Sequence, residues 1–114
     1  MRANRLRELL NAGEMSIGTH VMVTWPGIVE VIGQAGGIDY VEFVAEYASY
    51  DLHGLENFGR AVDLFESMSS MIKVEQESRS YLASRAVGSG IQNLLFSDVR
   101  TVEDVEQCVA AIRA

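Results

Sequence analysis

Apolar positions along this chain recur with two periods, and the two periods alternate. Leu6, Leu9 and Leu10 fall on one side of a short leading helix, with Asn4 as its N-cap and Gly13 as its stop. Ile17 to Val23 follows as a first strand. Thr24-Trp25-Pro26 opens a helix, because Pro is tolerated at the first helical position. Ile28, Val29, Val31 and Ile32 give that helix its apolar face, and Gly36-Gly37 ends it. Asp39 to Ala45 reads as a second strand with clear alternation. Val41, Phe43 and Ala45 face one way, and Tyr40, Glu42, Val44 and Glu46 the other. After a loop from Tyr47 to Gly54, Leu55, Phe58, Val62 and Phe65 return to helical spacing. Met71 to Glu75 is a third strand, and Ser78 caps a helix running to Val87. Gly88-Ser89-Gly90 closes that helix before a fourth strand, Ile91 to Phe96. Thr101 and Asp104 approximate a capping box. Val102, Val105, Cys108, Val109 and Ile112 stripe the last helix.

The order is a leading helix and then strand–helix four times, which predicts an α/β fold with a parallel sheet and right-handed crossovers. No linker or internal boundary interrupts residues 1–114, so they read as one domain, and one that is partial. Two architectures fit four such units: a small open doubly wound sheet, or half of a (β/α)8 TIM barrel. Central strands of a doubly wound sheet are buried on both faces and read as apolar runs. Here the second strand carries Glu42 and Glu46 on one face, and the third carries Lys73 and Glu75 on one face with Ile72 and Val74 on the other. A barrel packs helices only on its outer wall, and its lumen can hold charge. The charged faces are therefore assigned to a lumen, which a half barrel leaves uncovered, with the first and fourth strands as open edges.

Composition narrows the function. The chain is 48% hydrophobic, with one Pro, which is globular. Its formal net charge is -7, from 16 acids against 9 bases, a poor match to nucleic acid or an anionic membrane. No apolar run approaches the ~18–20 residues of a membrane span. The N-terminal stretch, with Arg2, Arg5, Arg7 and Glu8 among its leucines, is amphipathic rather than a secretory signal. The single Cys108 cannot form an intrachain disulfide, which fits a reducing cytoplasm, and it excludes a multi-Cys zinc site. His20 and His53 have no metal-ligand spacing to one another or to the Cys. No Gly-x-Ser-x-Gly, Walker or Rossmann fingerprint occurs.

Four segments in order carry a resemblance. They are Ser16-Ile17-Gly18 before the first strand and Gln34-Ala35-Gly36-Gly37-Ile38-Asp39-Tyr40 before the second. The other two are Ala45-Glu46-Tyr47 at the second strand's end and Gly88-Ser89-Gly90-Ile91-Gln92-Asn93-Leu94-Leu95-Phe96. The chain resembles the N-terminal half of the HpcH/HpaI aldolase family, pyruvate- and phosphoenolpyruvate-using (β/α)8 barrels. The resemblance implies cleavage or formation of a carbon–carbon bond next to pyruvate. It also implies a divalent metal (magnesium, manganese or cobalt) in the complete barrel, stabilising the pyruvate enolate. The family's metal ligands, a Glu and an Asp, lie on later strands, so no metal is expected to be ligated by these residues alone. Ala45-Glu46-Tyr47 stands where the family has Gly-Glu-His, so the Glu is kept and the catalytic His is Tyr. A phenol, with a reference pKa of ~10 against ~6.5 for imidazole, is the weaker base. The family's Arg at the end of the third strand falls near Lys73, with Val74 at the ungapped position. The Asp that orients its His falls at Gly88.

The candidate catalytic residues are therefore Glu46 and Tyr47, and the candidate substrate-binding residue is Lys73. Each has a plainer alternative: Glu46 as a solvated loop acid, Tyr47 as an ordinary packed aromatic, and Lys73 as the lumen partner of Glu42. The last is favoured because an unpaired buried charge is costly. Gly88-Ser89-Gly90 could cradle a phosphate but fits a helix end better. Cys108, Met68 and Met71 are assigned to the core. The leading expectation is the N-terminal half of a cytoplasmic, metal-dependent lyase that cleaves 2-oxo acids to pyruvate and an aldehyde, inactive by itself. It would bind a small 2-oxo acid, with no nucleic acid or membrane partner. The second expectation is a non-catalytic half-barrel module that self-associates. In both cases the partner is the remainder of the barrel or further copies of the chain.

Overall fold

The structure, a computed structural model, describes residues 2–113. Its elements run α1 (Arg5–Asn11), β1 (Gly18–Val21), α2 (Pro26–Ala35), β2 (Tyr40–Val44), α3 (Leu52–Asp63), β3 (Ser69–Val74), α4 (Arg79–Gly88), β4 (Asn93–Phe96) and α5 (Val102–Ile112). The four strands form one parallel sheet in the order β1-β2-β3-β4. That sequential order decides between the two architectures. A doubly wound sheet reverses its strand order and so places helices on both faces. Successive right-handed crossovers without reversal put every crossover helix on the same face. One core results, in which Val21, Val41, Phe43, Ile72 and Val74 of the sheet meet Val29 of α2, Leu55, Phe58 and Val62 of α3 and Ala86 of α4. The sheet has the geometry of half a (β/α)8 barrel.

Local chemistry explains most element ends. Asn4 Oδ1 accepts from the Arg7 N–H and caps α1. Pro26 starts α2, and Gly36 ends it with φ of 78°. The Thr101 hydroxyl and the Asp104 carboxylate make the reciprocal capping box of α5. Asp51 caps α3, its Oδ1 accepting from Gly54 N–H at 2.6 Å, so this helix begins inside the stretch read from sequence as loop. Ser78 does precede α4, but its backbone is left-handed (φ 58°) and its hydroxyl makes no capping bond. All four strands are placed differently from their sequence bounds, the second by one residue at each end. β3 starts two residues earlier because Ser69 and Ser70, fully buried, anchor it to α1 and to Gln92 through their hydroxyls.

Several apolar positions are not where periodicity put them. Leu6 and Leu9 are buried but Leu10 is exposed. Of the α5 stripe only Cys108 is buried, while Val102, Val105, Val109 and Ile112 are exposed, because α5 packs on α4 by one narrow edge. Met68 is in the core as expected, whereas Met71 pairs in register with Glu42 and Asn93 on the opposite, helix-free face. α1 lies across the N-terminal end of the strands. There Arg2 donates to the Val62, Phe65 and Met68 carbonyls at the end of α3 and beyond, and Asn4 reaches Asn93 and Ser69.

Candidate active site

Parallel strands all deliver their C-terminal ends to the same rim, and in barrel enzymes chemistry is found at that rim. In β2 and β3 the residues facing away from the helices are Tyr40, Glu42 and Val44, and Ser69, Met71 and Lys73. Lys73 is opposite Val44 in register, one step from the rim. Glu46 follows in the turn after β2. Its Oε1 is 3.0 Å from Lys73 Nζ, with the side chains 20% and 29% exposed, respectively. The contact is an ion pair rather than an aligned hydrogen bond, since Oε1 is buried and has no hydrogen-bond partner. The ammonium beside it holds the Glu46 carboxyl below its ordinary range, against a smaller opposing effect of burial. Glu46 in turn raises the Lys73 pKa.

The expected pair was Lys73 with Glu42, and the structure pairs Lys73 with Glu46 instead. Glu42 is opposite Met71, two residues short of Lys73. The lysine stem leans along the strand toward the rim, and Glu46 is the carboxylate that meets it there. Glu75 also departs from expectation. It lies beyond the end of β3 and accepts a 2.7 Å hydrogen bond from the Tyr50 hydroxyl. Burial first, and this carboxylate second, push the Tyr50 pKa up. Tyr47 is 71% exposed, so it is not a packed aromatic, and Lys73 Nζ is 5.6 Å from its ring centroid. The structure thus brings Glu46, Tyr47 and Lys73 together at one rim, and leaves Gly88 elsewhere, as the last residue of α4.

Two residues of this rim escaped the sequence reading. Ser97, just past β4, is buried, and its hydroxyl donates to the Val74 carbonyl at 2.6 Å, fixing the strand ends beside the rim. The position directly after a strand's last residue was the available signal. Arg79 is 1% exposed, and no sequence signal marks it, because its partners lie 18 to 28 residues away. Its guanidinium donates to the Ser97 carbonyl (3.3 Å) and to Gln107 (3.0 Å), and is 3.5 Å from Asp104. It thereby ties the end of β4 to the first turns of α4 and α5.

Among the described residues no group of three or more His, Cys, Asp or Glu is placed to hold a metal ion. At the rim Glu46 is already paired with an ammonium, so these residues do not by themselves fit a divalent metal. A cavity of about 750 Å³ opens at the other end of the strands, beside Arg2, Arg5, Glu8, Asp39 and Glu66. Its charges are of both signs, and Arg5 is paired with Asp39 at 3.4 Å, so the candidate site stays at the C-terminal rim. No described helix is long and apolar enough to cross a membrane.

No family model matches the sequence, and no curated protein matches it. Solved structures do share its fold. A HpcH/HpaI aldolase/citrate lyase family protein from Burkholderia cenocepacia J2315 superposes with a TM-score of 0.85 at 22% identity, over 98% of this chain and 44% of that one. The HpcH/HpaI aldolase from Desulfitobacterium hafniense DCB-2 gives 0.80 at 24% identity, over 94% of this chain and 40% of that one. The citrate synthase SbnG gives 0.83 at 21% identity, over 94% and 42%. The chain spans less than half the length of each of these proteins. The likeness gives the fold alone: four consecutive strand–helix units of a (β/α)8 barrel.

Proposed function

We propose that residues 1–114 supply the first four strand–helix units of a carbon–carbon lyase barrel that cleaves 2-oxo acids to pyruvate and an aldehyde. The observation that carries this reading is the Glu46–Lys73–Tyr47 cluster at the C-terminal rim of a sheet whose fold neighbours are HpcH/HpaI proteins. In this reading Lys73 is the cation that binds the substrate carboxylate, and Glu46 keeps its ammonium charged and pointed at the rim. Tyr47, exposed beside them, is placed to hold or pass a proton through its phenol oxygen. Any divalent metal of the complete barrel would be held by acids on other strands, so the chain alone is inactive. A reducing cytoplasm suits its one buried, free Cys108.

The test is pyruvate release from 4-hydroxy-2-oxo acids with magnesium, manganese or cobalt added. Residues 1–114 alone should release none. A barrel completed by further strand–helix units should show metal-dependent release that Glu46→Gln and Lys73→Met each reduce. Metal-dependent turnover by residues 1–114 alone refutes the division of labour, and a completed, metal-loaded barrel without pyruvate release refutes the reaction.

A further inference from the structure

The chain segments that carry Glu46 and Lys73 are joined by a second contact. Glu46 lies in the loop between β2 and α3, and Lys73 is the penultimate residue of β3. Tyr50 follows Glu46 in the same loop, and Glu75 is the first residue beyond β3. The Tyr50 hydroxyl donates to the Glu75 carboxylate at 2.7 Å. The Tyr50 ring stands edge-on to Phe43, with centroids 5.6 Å apart and planes at 83°. Phe43 belongs to the core, on the helix side of the sheet, and Tyr50 packs against that core. Glu75 is therefore held toward the helix side, whereas Lys73 faces the bare side.

An uninterrupted strand would divide these side chains differently. Residues two apart on a strand share a face, so a β3 continued by one residue would put Glu75 beside Lys73. The ammonium would then stand between two carboxylates, Glu46 and Glu75. Instead β3 stops at Val74. The groups that act on the ammonium are Glu46 at 3.0 Å and, more weakly, Tyr47 and Glu42. The phenol gives the Glu75 carboxylate the hydrogen-bond donor that a half-buried charge needs. A second carboxylate beside Lys73 would repel any carboxylate that approached it. We propose that Tyr50 is a positioning residue: by holding Glu75 on the helix side, it leaves Lys73 with Glu46 alone at the rim and open to the carboxylate of a substrate. The last clause rests on the lyase reading, in which Lys73 binds that carboxylate. The clamp itself is tested without substrate.

The first measurement is the side-chain carboxyl resonance of Glu75, followed by carbon-13 NMR of the full chain at neutral pH. With Tyr50 in place, Lys73→Met should barely move it. Tyr50→Phe removes the hydroxyl and keeps the ring edge on Phe43. Glu75 should then turn to Lys73, the nearest cation along the chain, and Lys73→Met should shift its resonance clearly. Melting gives a second reading. The shifts from Lys73→Met and Glu75→Gln should add in the parent and fail to add in Tyr50→Phe. In a completed barrel Tyr50→Phe should raise KM for a 4-hydroxy-2-oxo acid by up to about fivefold, the range of a partly exposed charge pair, with kcat unchanged. Tyr50→Phe combined with Glu75→Gln should bring KM back, which loosening of the loop alone would not allow. A Glu75 resonance that Lys73→Met moves equally in both backgrounds, or in neither, overturns the clamp whatever the barrel catalyses. A raised KM that Glu75→Gln does not restore overturns its part in substrate binding. A completed barrel without pyruvate release overturns the lyase reading, and with it only the clause that names the substrate.

Discussion

The same substitution at two glycines should have opposite effects on stability. Gly59 lies in the middle of α3 and is buried, and a Cβ built there would stand 2.6 Å from the Ser89 carbonyl oxygen. That oxygen belongs to backbone that cannot easily retreat. Ser89 ends α4, its N–H bonded to Arg85 and Ala86 and its hydroxyl to the Arg85 carbonyl at 2.9 Å. Gly88, the last residue of α4, has nothing within 4 Å of its Cβ position. Replacing a helical Gly by Ala gains about 0.5–1 kcal/mol where there is room. Forcing a methyl into a packed contact costs about 1–3 kcal/mol. Gly88→Ala should therefore stabilise by up to about 1 kcal/mol, less if the helix end frays. Gly59→Ala should destabilise by about 1–2 kcal/mol once the propensity gain is subtracted. For a domain of this size the two melting temperatures should diverge by roughly 5–15 °C. Urea unfolding at one fixed protein concentration, with the slope unchanged between variants, is the assay. A Gly59→Ala protein as stable as the parent, or one whose shift has the same sign as that of Gly88→Ala, would refute the close α3–α4 approach.

Lys73→Met should lower the melting temperature more than Arg60→Met, because Lys73 and Glu46 are mostly enclosed while Arg60 is an exposed helix residue; equal melting would disprove the lumen placement. Glu46 and Asp104 have folded pKa values below their ordinary 4.5 and 3.8, so their contributions are complete above those values and fade as pH falls below them. Lys73, raised above 10.5, contributes fully below that pH and loses its contribution as pH rises beyond it. Melting temperature against pH should therefore bend down at both ends, and Glu46→Gln should flatten both limbs. Of the four tyrosines, Tyr50 should keep its phenolic proton past pH 10 until the chain unfolds, and Tyr50→Phe should remove that latent component from the ultraviolet titration.

The parts of the fold legible in the sequence were those set by local rules. Alternation in β2 assigned Val41 and Phe43 to the core and Glu42 to the bare face, and the capping residues Asn4 and Thr101 sit where their side chains suggested. Ion-pair partners were not legible in this way. The Lys73 partner depends on the register between β2 and β3, which alternation leaves free by steps of two residues, and on the turn that brings Glu46 back over the rim. Arg79 lay still further from sight, because a buried guanidinium is specified by Ser97, Asp104 and Gln107, which only the closed fold brings to it. The α5 valines misled for the opposite reason. Their period is helical, but periodicity does not say whether the surface they need belongs to the same four units.

Lys73 is the only lysine in the sequence. An amine-directed reagent therefore has a single side chain to modify in the described molecule, and that side chain stands at the candidate mouth, shielded by a carboxylate and a tyrosine ring. The labelling rate of the intact chain is thus a built-in gauge of this site. It should quicken when Glu46→Gln removes the shield and slow when a carboxylate-bearing ligand settles on the ammonium. The peptide carrying the label can be read by mass without any knowledge of the substrate.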